Sequence, residues 1–451
     1  MRPLLLLCLL AVAAPAAAAA PATSTTQSGA SPRFALPFIE DDIGRAMAEG
    51  REKQLPVFVE MWAPWCHACR SMRAFVFTDS ALVPQASRYV WLSVDIEQAK
   101  NAAFRKRTGV SAVPTYFVVD PDSESVAIRW VGGASVGQLE KLLSDGEAAV
   151  RGGHVSTPAY QALIEADRLY GKEDHAGAAD AFERALASAP EDWPDYARAV
   201  ESRMFALSSA KRPLAAVQQA IAAWPKLSAT SSAATLAAGG LDAALSLPAE
   251  HAQRKAWVAR FESACRELVG ARERFPADDR SGVYFSLESA REAAGDSTGA
   301  RALMVEHLSM LDREADAART PHERTVFDSH RVSLAMVLGT FERVVASLEQ
   351  SQREFPDDYN PPARLALAFK AMKRWPEAKV ASDRALALVY GPRQFVVLDA
   401  RIALHRDMAD AAGVRHWVTE SLKRAKAMPA DQRSERTIAR YEKQAAEFAA
   451  P

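Results

Sequence analysis

Over residues 37–150 the apolar positions switch between a helical and a strand period. Ile39, Ile43 and Met47, set among Glu40, Asp41, Arg45 and Glu49, predict an amphipathic helix from Pro37 to Lys53. Leu55 to Met61 is a nearly unbroken apolar run and reads as a buried strand, followed by a helix from Cys66 to about Phe77. Tyr89 to Asp95 reads as a second strand, and Gln98 to Arg107 as a helix stopped by Thr108-Gly109. Thr115 to Val119 and Val126 to Val131 are two more strands around the turn Asp120-Pro121-Asp122-Ser123, and a last helix runs from Gly137 to Ala149. Strands alternating with helices, then a hairpin and a closing helix, predict an α/β sandwich: a mixed central sheet with helices on both faces.

After Val150 the pattern changes. Residues 151–158 read as a linker, and from residue 159 to 449 the chain is alanine-rich and helical in period. Ala178 to Pro190, with Phe182, Ala185 and Leu186, resembles the second half of a tetratricopeptide repeat, and Ala378, Ala381, Ala385 and Leu386 fit the same unit. Ala378 and Ala412 stand one 34-residue step apart, with Val344 one step earlier. Arg274-Phe275-Pro276-Ala277-Asp278-Asp279 is echoed by Glu354-Phe355-Pro356-Asp357-Asp358, each ahead of an apolar helix. These features predict an all-α helix-hairpin solenoid, clearest from Val332 onward and degenerate between Asp192 and Ala318.

The amino terminus and the charge balance narrow the function classes. Residues 1–20 have the charged start, apolar middle and small-residue end of a secretory signal peptide, and residues 21–36 read as a flexible leader. No later segment has the apolar length of a membrane span. The expected location is therefore outside the cytoplasm, periplasmic or secreted, where disulfides persist. Lys and Arg number 55 against 56 Asp and Glu in 451 residues, which gives no electrostatic reason to expect nucleic acid.

Candidate chemistry rests on Cys66 and Cys69. Cysteines three apart share one helix face, with Cβ atoms about 5–6 Å apart, close enough for a local disulfide. A strand feeding a helix through a short loop would put Cys66 at the helix amino terminus, where free N–H groups and the helix dipole favour thiolate. A zinc site normally needs four ligands, and Cys265 lies far along the helical part with no second pair. Covalent haem attachment needs histidine after the second cysteine, where Arg70 stands. Cys265, with Phe261, Ala264 and Leu268, is expected to be a buried small hydrophobe, and His307, His322 and His330 to be surface or helix-terminus residues.

Several separated motifs resemble the thioredoxin family. Val59-Glu60-Met61-Trp62-Ala63-Pro64-Trp65-Cys66 looks like its strand-to-active-site segment, and Thr108-Gly109-Val110-Ser111-Ala112-Val113-Pro114-Thr115-Tyr116 like its cis-proline loop. Val131-Gly132-Gly133-Ala134-Ser135 looks like its closing turn. Cys69-Arg70-Ser71-Met72-Arg73 with Val76-Phe77-Thr78-Asp79 is closer to the periplasmic subgroup represented by the carboxy-terminal domain of thiol:disulfide interchange protein D. The resemblance spans residues 37–150 and implies a thioredoxin-like domain ahead of the solenoid.

The resemblance implies a thiol:disulfide oxidoreductase whose only redox group is the Cys66/Cys69 pair. Cys66 would be the nucleophile and Cys69 the resolving thiol, with His67 between them tuning the potential. Glu60 takes the place of the family's buried acid, usually aspartate, which exchanges protons with the second cysteine. Pro114 in the cis form would keep the backbone open and present the Val113 main chain to an extended substrate, with Trp65 as a further contact. Expected partners are protein thiols and disulfides, an electron donor in the envelope, and a protein or peptide on the helical surface. A non-enzymatic adaptor or chaperone-like assembly factor, its thioredoxin-like platform incidental, is the alternative.

Overall fold

Two glycine- and proline-bounded hairpin strands and two long apolar runs build the amino-terminal unit. The computed structural model describes residues 36–152 and 157–448. The expected signal peptide, nearly all of the leader and part of the linker lie outside the described residues.

Strands β1 (Phe38–Glu40), β2 (Val57–Trp62), β3 (Val90–Asp95), β4 (Thr115–Val119) and β5 (Val126–Val131) form one sheet in the order β1-β3-β2-β4-β5. β1 and β2 run parallel to β3, whereas β4 is antiparallel to β2 and to β5. Helices α1 (Ile43–Lys53), α2 (His67–Ser71), α3 (Ala102–Thr108) and α4 (Val136–Val150) surround it. Val57, Val59 and Met61 of β2 pack on one face with Met47 of α1, Phe104 of α3 and both cysteines. Phe58 points the other way, among Trp91, Tyr116 and the leucines of α4. Because both faces are covered, the central strands are mostly apolar, with Glu60, Ser93, Asp95 and Thr115 as buried polar exceptions.

One expectation needs correcting. Phe38 to Glu40 are an edge strand and not the first turn of a helix, pairing Phe38 with Trp91 and Glu40 with Ser93. Asp41 breaks the run with a φ of 56°, and the Asp42 carboxylate caps Arg45 N at 3.0 Å, so α1 starts only at Ile43.

The rest is helical. The array begins with α5 (Pro158–Gly171), α6 (His175–Ser188), α7 (Tyr196–Ser209) and α8 (Pro213–Leu227). It continues with α9 (Ala233–Leu245), α10 (Arg254–Gly270), α11 (Ala277–Ala293) and α12 (Ser297–Asp316). Next come α13 (Pro321–Val326), α14 (Asp328–Leu338), α15 (Glu342–Glu354) and α16 (Asn360–Ala371). The last four are α17 (Trp375–Leu388), α18 (Gln394–Asp407), α19 (Ala411–Ala427) and α20 (Glu435–Ala446). Nearly every helix packs on its chain neighbour, as expected of stacked hairpins. A tight turn recurs, with Glu173, Lys211, Lys373 and Ala409 each in the left-handed region between two helices. Asp174, Asp296 and Asp410 then cap the next helix by accepting from the backbone N–H of Gly177, Gly299 and Gly413. The stretch from Asp192 to Ala318 is helical too and shares one alanine- and leucine-rich core in which Phe261 and Cys265 are fully buried.

The array folds back on the sheet unit in three places. First, α5 and α7 lean on β5: Arg198 Nη2 donates to Arg129 O at 2.6 Å, and Gly109, at φ 61°, abuts the Gly171 carbonyl where any Cβ would overlap it. Second, α13 packs on α2. Third, the loops before α18 and α20 meet Glu97: Arg393 N donates to Glu97 Oε2 at 2.8 Å, and Gln432 Nε2 to Glu97 O at 2.9 Å.

Candidate active site

The end of β2 delivers Trp62, and three residues later the chain turns into α2. Cys66 is the amino-terminal cap of that helix, its N–H bonded to Ala63 O at 3.1 Å and its Sγ accepting from Cys69 N at 3.1 Å. Cys66 and Cys69 are joined by a disulfide with Cα atoms 5.3 Å apart. Cys66 is 5% exposed and Cys69 is 0% exposed. Val113, whose bond to Pro114 is cis, packs against the cluster that holds both sulfurs. On reduction, the Cys66 sulfur would lie at the positive end of α2, the placement that favours a thiolate.

Glu60 is 0% exposed and sits on the Phe58 face of β2. Arg73 Nε donates to its Oε2 at 3.1 Å and Ser93 Oγ at 3.3 Å, while Oε1 is buried with no hydrogen-bond partner. Burial pushes the Glu60 carboxyl up, and the adjacent Arg73 guanidinium only partly offsets this. The Arg73 guanidinium also lies 3.6 Å from the centre of the Trp62 ring. Trp65 donates from Nε1 to Glu97 Oε1 at 2.8 Å, with the Arg393 guanidinium over its ring. It forms one wall of a cavity of about 250 Å³ that α14, α16, α17 and α18 complete with Tyr359, Arg364 and Val397 among others.

His67 points into the array. Its Nε2 pairs with Asp278 at the start of α11, Ser329 Oγ stands 3.3 Å from Nδ1, and the ring stacks on His330 with centroids 3.7 Å apart. Arg70 pairs with Asp358 and donates to Pro64 O at 2.8 Å. Asn360 Nδ2 reaches the same carbonyl at 3.2 Å. Burial alone would raise Asp278, but its pairing with His67 holds its carboxyl below the ordinary range. Asp358 is likewise held low, by Arg70 against the effect of burial. Burial and the neighbouring His67 push His330 down to about 3, so it is neutral.

One expectation about a histidine needs correcting here. His307 is 0% exposed and not a surface residue: Ser281 Oγ at 2.7 Å and Glu288 Oε1 at 2.8 Å satisfy both ring nitrogens, which is what lets an imidazole stay buried. Sequence reasoning also missed Arg73, Glu97, Asp278 and Asp358. Arg73 lies one helical turn beyond Cys69, and the two aspartates occupy the same place in the echoed Phe-Pro motif, so a signal was present for these three and none for Glu97. Among the described residues, no group of three or more His, Cys, Asp or Glu side chains is arranged to hold a metal ion. No helix among them is long and apolar enough to cross a membrane.

The thioredoxin-like domain family model matches residues 43–147. Thiol:disulfide interchange protein DsbD of Pseudoalteromonas atlantica is 28% identical over 98 residues, 21% of this chain and 17% of the relative. DsbD of Yersinia enterocolitica is 31% identical over 114 residues, 24% of this chain and 19% of the relative. The chloroplastic thioredoxin M4 of Arabidopsis thaliana is 29% identical over 92 residues, 20% of this chain and 45% of the relative. The chain thus spans under a fifth of the DsbD relatives it matches. Sheet order, cysteine helix, cis-proline loop and relatives agree: the amino-terminal unit of this chain is a thioredoxin-like domain, homologous to part of the thiol:disulfide interchange proteins and followed by a helical array.

Proposed function

We propose that this chain is an exported thiol:disulfide oxidoreductase that exchanges disulfides with protein substrates through Cys66 and Cys69, its array binding the substrate or a partner. The observation that carries the reading is the Cys66–Cys69 disulfide at the amino-terminal cap of α2, inside a thioredoxin-like domain. In the reducing direction, the Cys66 thiolate attacks one sulfur of a substrate disulfide, forming a mixed disulfide and releasing a substrate thiolate. The Cys69 thiolate then attacks Cys66 Sγ, closing the Cys66–Cys69 bond and releasing the second substrate thiolate, with two electrons passed to the substrate. The reverse sequence oxidises a dithiol.

Glu60 exchanges the Cys69 proton, Val113 and Pro114 receive the substrate main chain beside the sulfurs, and Trp65 contacts the substrate. An envelope thiol donor returns the electrons in the reducing direction. Export rests on the pattern of residues 1–20.

The adaptor reading keeps one observation in its favour, the near-complete burial of the disulfide beneath the array. Cys69→Ala discriminates the two. Exchange predicts trapped mixed disulfides through Cys66 in cells and reduction of insulin by the wild-type chain. Neither adduct nor insulin reduction would leave the adaptor.

A further inference from the structure

The two copies of the Phe-Pro-x-Asp motif end at the same place. Phe275-Pro276-Ala277-Asp278 and Phe355-Pro356-Asp357-Asp358 lie in separate hairpins, 80 positions apart in register, yet both aspartates grip α2. Asp278 takes His67, the residue after Cys66, and Asp358 takes Arg70, the residue after Cys69. The pairs are enclosed, with side-chain exposures of 13% and 20% for His67 and Asp278 and 17% and 15% for Arg70 and Asp358.

We infer that Asp278 and Asp358 are positioning residues for exchange at Cys66 and Cys69, through which the helical array sets the charge beside the reactive sulfur; this rests on the oxidoreductase reading above. Each loop is itself held. Asp358 Oδ1 accepts from Asn360 N at 2.8 Å and from its side chain at 2.7 Å, and Asn360 in turn reaches Pro64 O ahead of Cys66. Behind His67, the stacked His330 is fixed by Ser281 Oγ at 2.8 Å, and Ser281 continues to His307 and Glu288. The charged or titratable groups beside His67 are Asp278 from α11, His330 from α14 and Arg70 from its own helix, with Arg364 from α16 near His330 and Arg70. Asp278 is the anion in contact with it.

Each aspartate is an anion paired with the residue that follows a cysteine. Removing either leaves the start of α2 more positive, which favours the thiolate, so Asp278→Asn and Asp358→Asn both make the pair more oxidising. Arg70→Gln removes a cation that stays charged at any ordinary pH and keeps Asp358, so it acts in the opposite sense and makes the pair more reducing.

The test is the equilibrium constant of the full-length chain with reduced and oxidised glutathione at pH 7. Each aspartate variant is expected to shift it by about threefold to tenfold, ~15–30 mV, to the oxidising side, and Arg70→Gln to the reducing side. Loosened packing would move all three variants the same way, so shifts of one sign across the three would overturn the inference while leaving the oxidoreductase reading intact. A wild-type pair that never equilibrates with glutathione would overturn both.

Discussion

Replacing Gly391 by alanine puts a methyl group where the Glu97 carbonyl oxygen already stands. Gly391 has a φ of 61°, so a side chain there costs about 1 kcal/mol before any clash. The overlap is with backbone, which no rotamer change relieves, and the loop must retreat by about 1 Å. That retreat breaks the bond from Arg393 N to the Glu97 carboxylate at 2.8 Å, a charge-assisted contact contributing about 1.5–3 kcal/mol. The total, about 2.5–4 kcal/mol, falls on local opening of this loop and not on the whole chain. Hydrogen–deuterium exchange over residues 390–398 should accelerate by at least about fiftyfold. Because Glu97 also accepts from Trp65 Nε1, Trp65 should become more mobile in the same variant. Exchange within about threefold of wild type would refute the steric reasoning.

Two further outcomes follow from buried charge. Asp95, 2% exposed, is pushed up to about 6 by burial, although the Tyr390 hydroxyl donates to it. Its folded value lies above that of the unfolded chain, so the folded state holds the proton more tightly and stability falls as pH rises from about 4 to about 6. Asp95→Asn should remove that fall: thermal midpoints at pH 4 and pH 7 should show the wild type losing about 3 kcal/mol relative to the variant, and a constant difference would contradict the assignment. Arg198→Met should cost about 3–5 kcal/mol in urea unfolding, because it removes the paired cation from the buried Asp167 carboxylate in the seam between α5, α7 and β5; a loss under about 1 kcal/mol would show that the neighbouring Arg129 suffices for Asp167.

How far the sequence could be read depends on the kind of signal. β4 and β5 are bounded by proline, glycine and an aspartate-rich turn, and such punctuation is local, so their limits are legible to the residue. β1 is three residues long and precedes a left-handed aspartate, and a helical period cannot exclude so short a strand. The cysteine pair and the cis Val113-Pro114 bond were visible as motifs. Residues 192–318 read as degenerate because alanine blurs the apolar spacing, although one Asp-x-x-Gly cap at Asp296 and Gly299 marks a helix start there. What periodicity cannot encode is which surface a helix leans on. The repeated Phe-Pro motif could be seen as repetition, but its aspartates acquire a purpose only once the array closes on α2.

The three seams between array and sheet unit also have an order in time. β5, α2 and Glu97 are met successively by α5 and α7, by α11 to α16, and by the loops around α18 and α20. A chain made from its amino terminus completes the sheet before any helix that leans on it exists, and domains generally fold as units in that order. Each hairpin then closes on a surface already formed. Arg70 and Asp358 are 288 positions apart, and Glu97 and Gln432 are 335, yet the stacked helices between them span the distance in place of a random coil. The dithiol is therefore accessible early in synthesis and covered late, and the Glu97 clasp, last to form, is the first that shortening the array from its far end would undo.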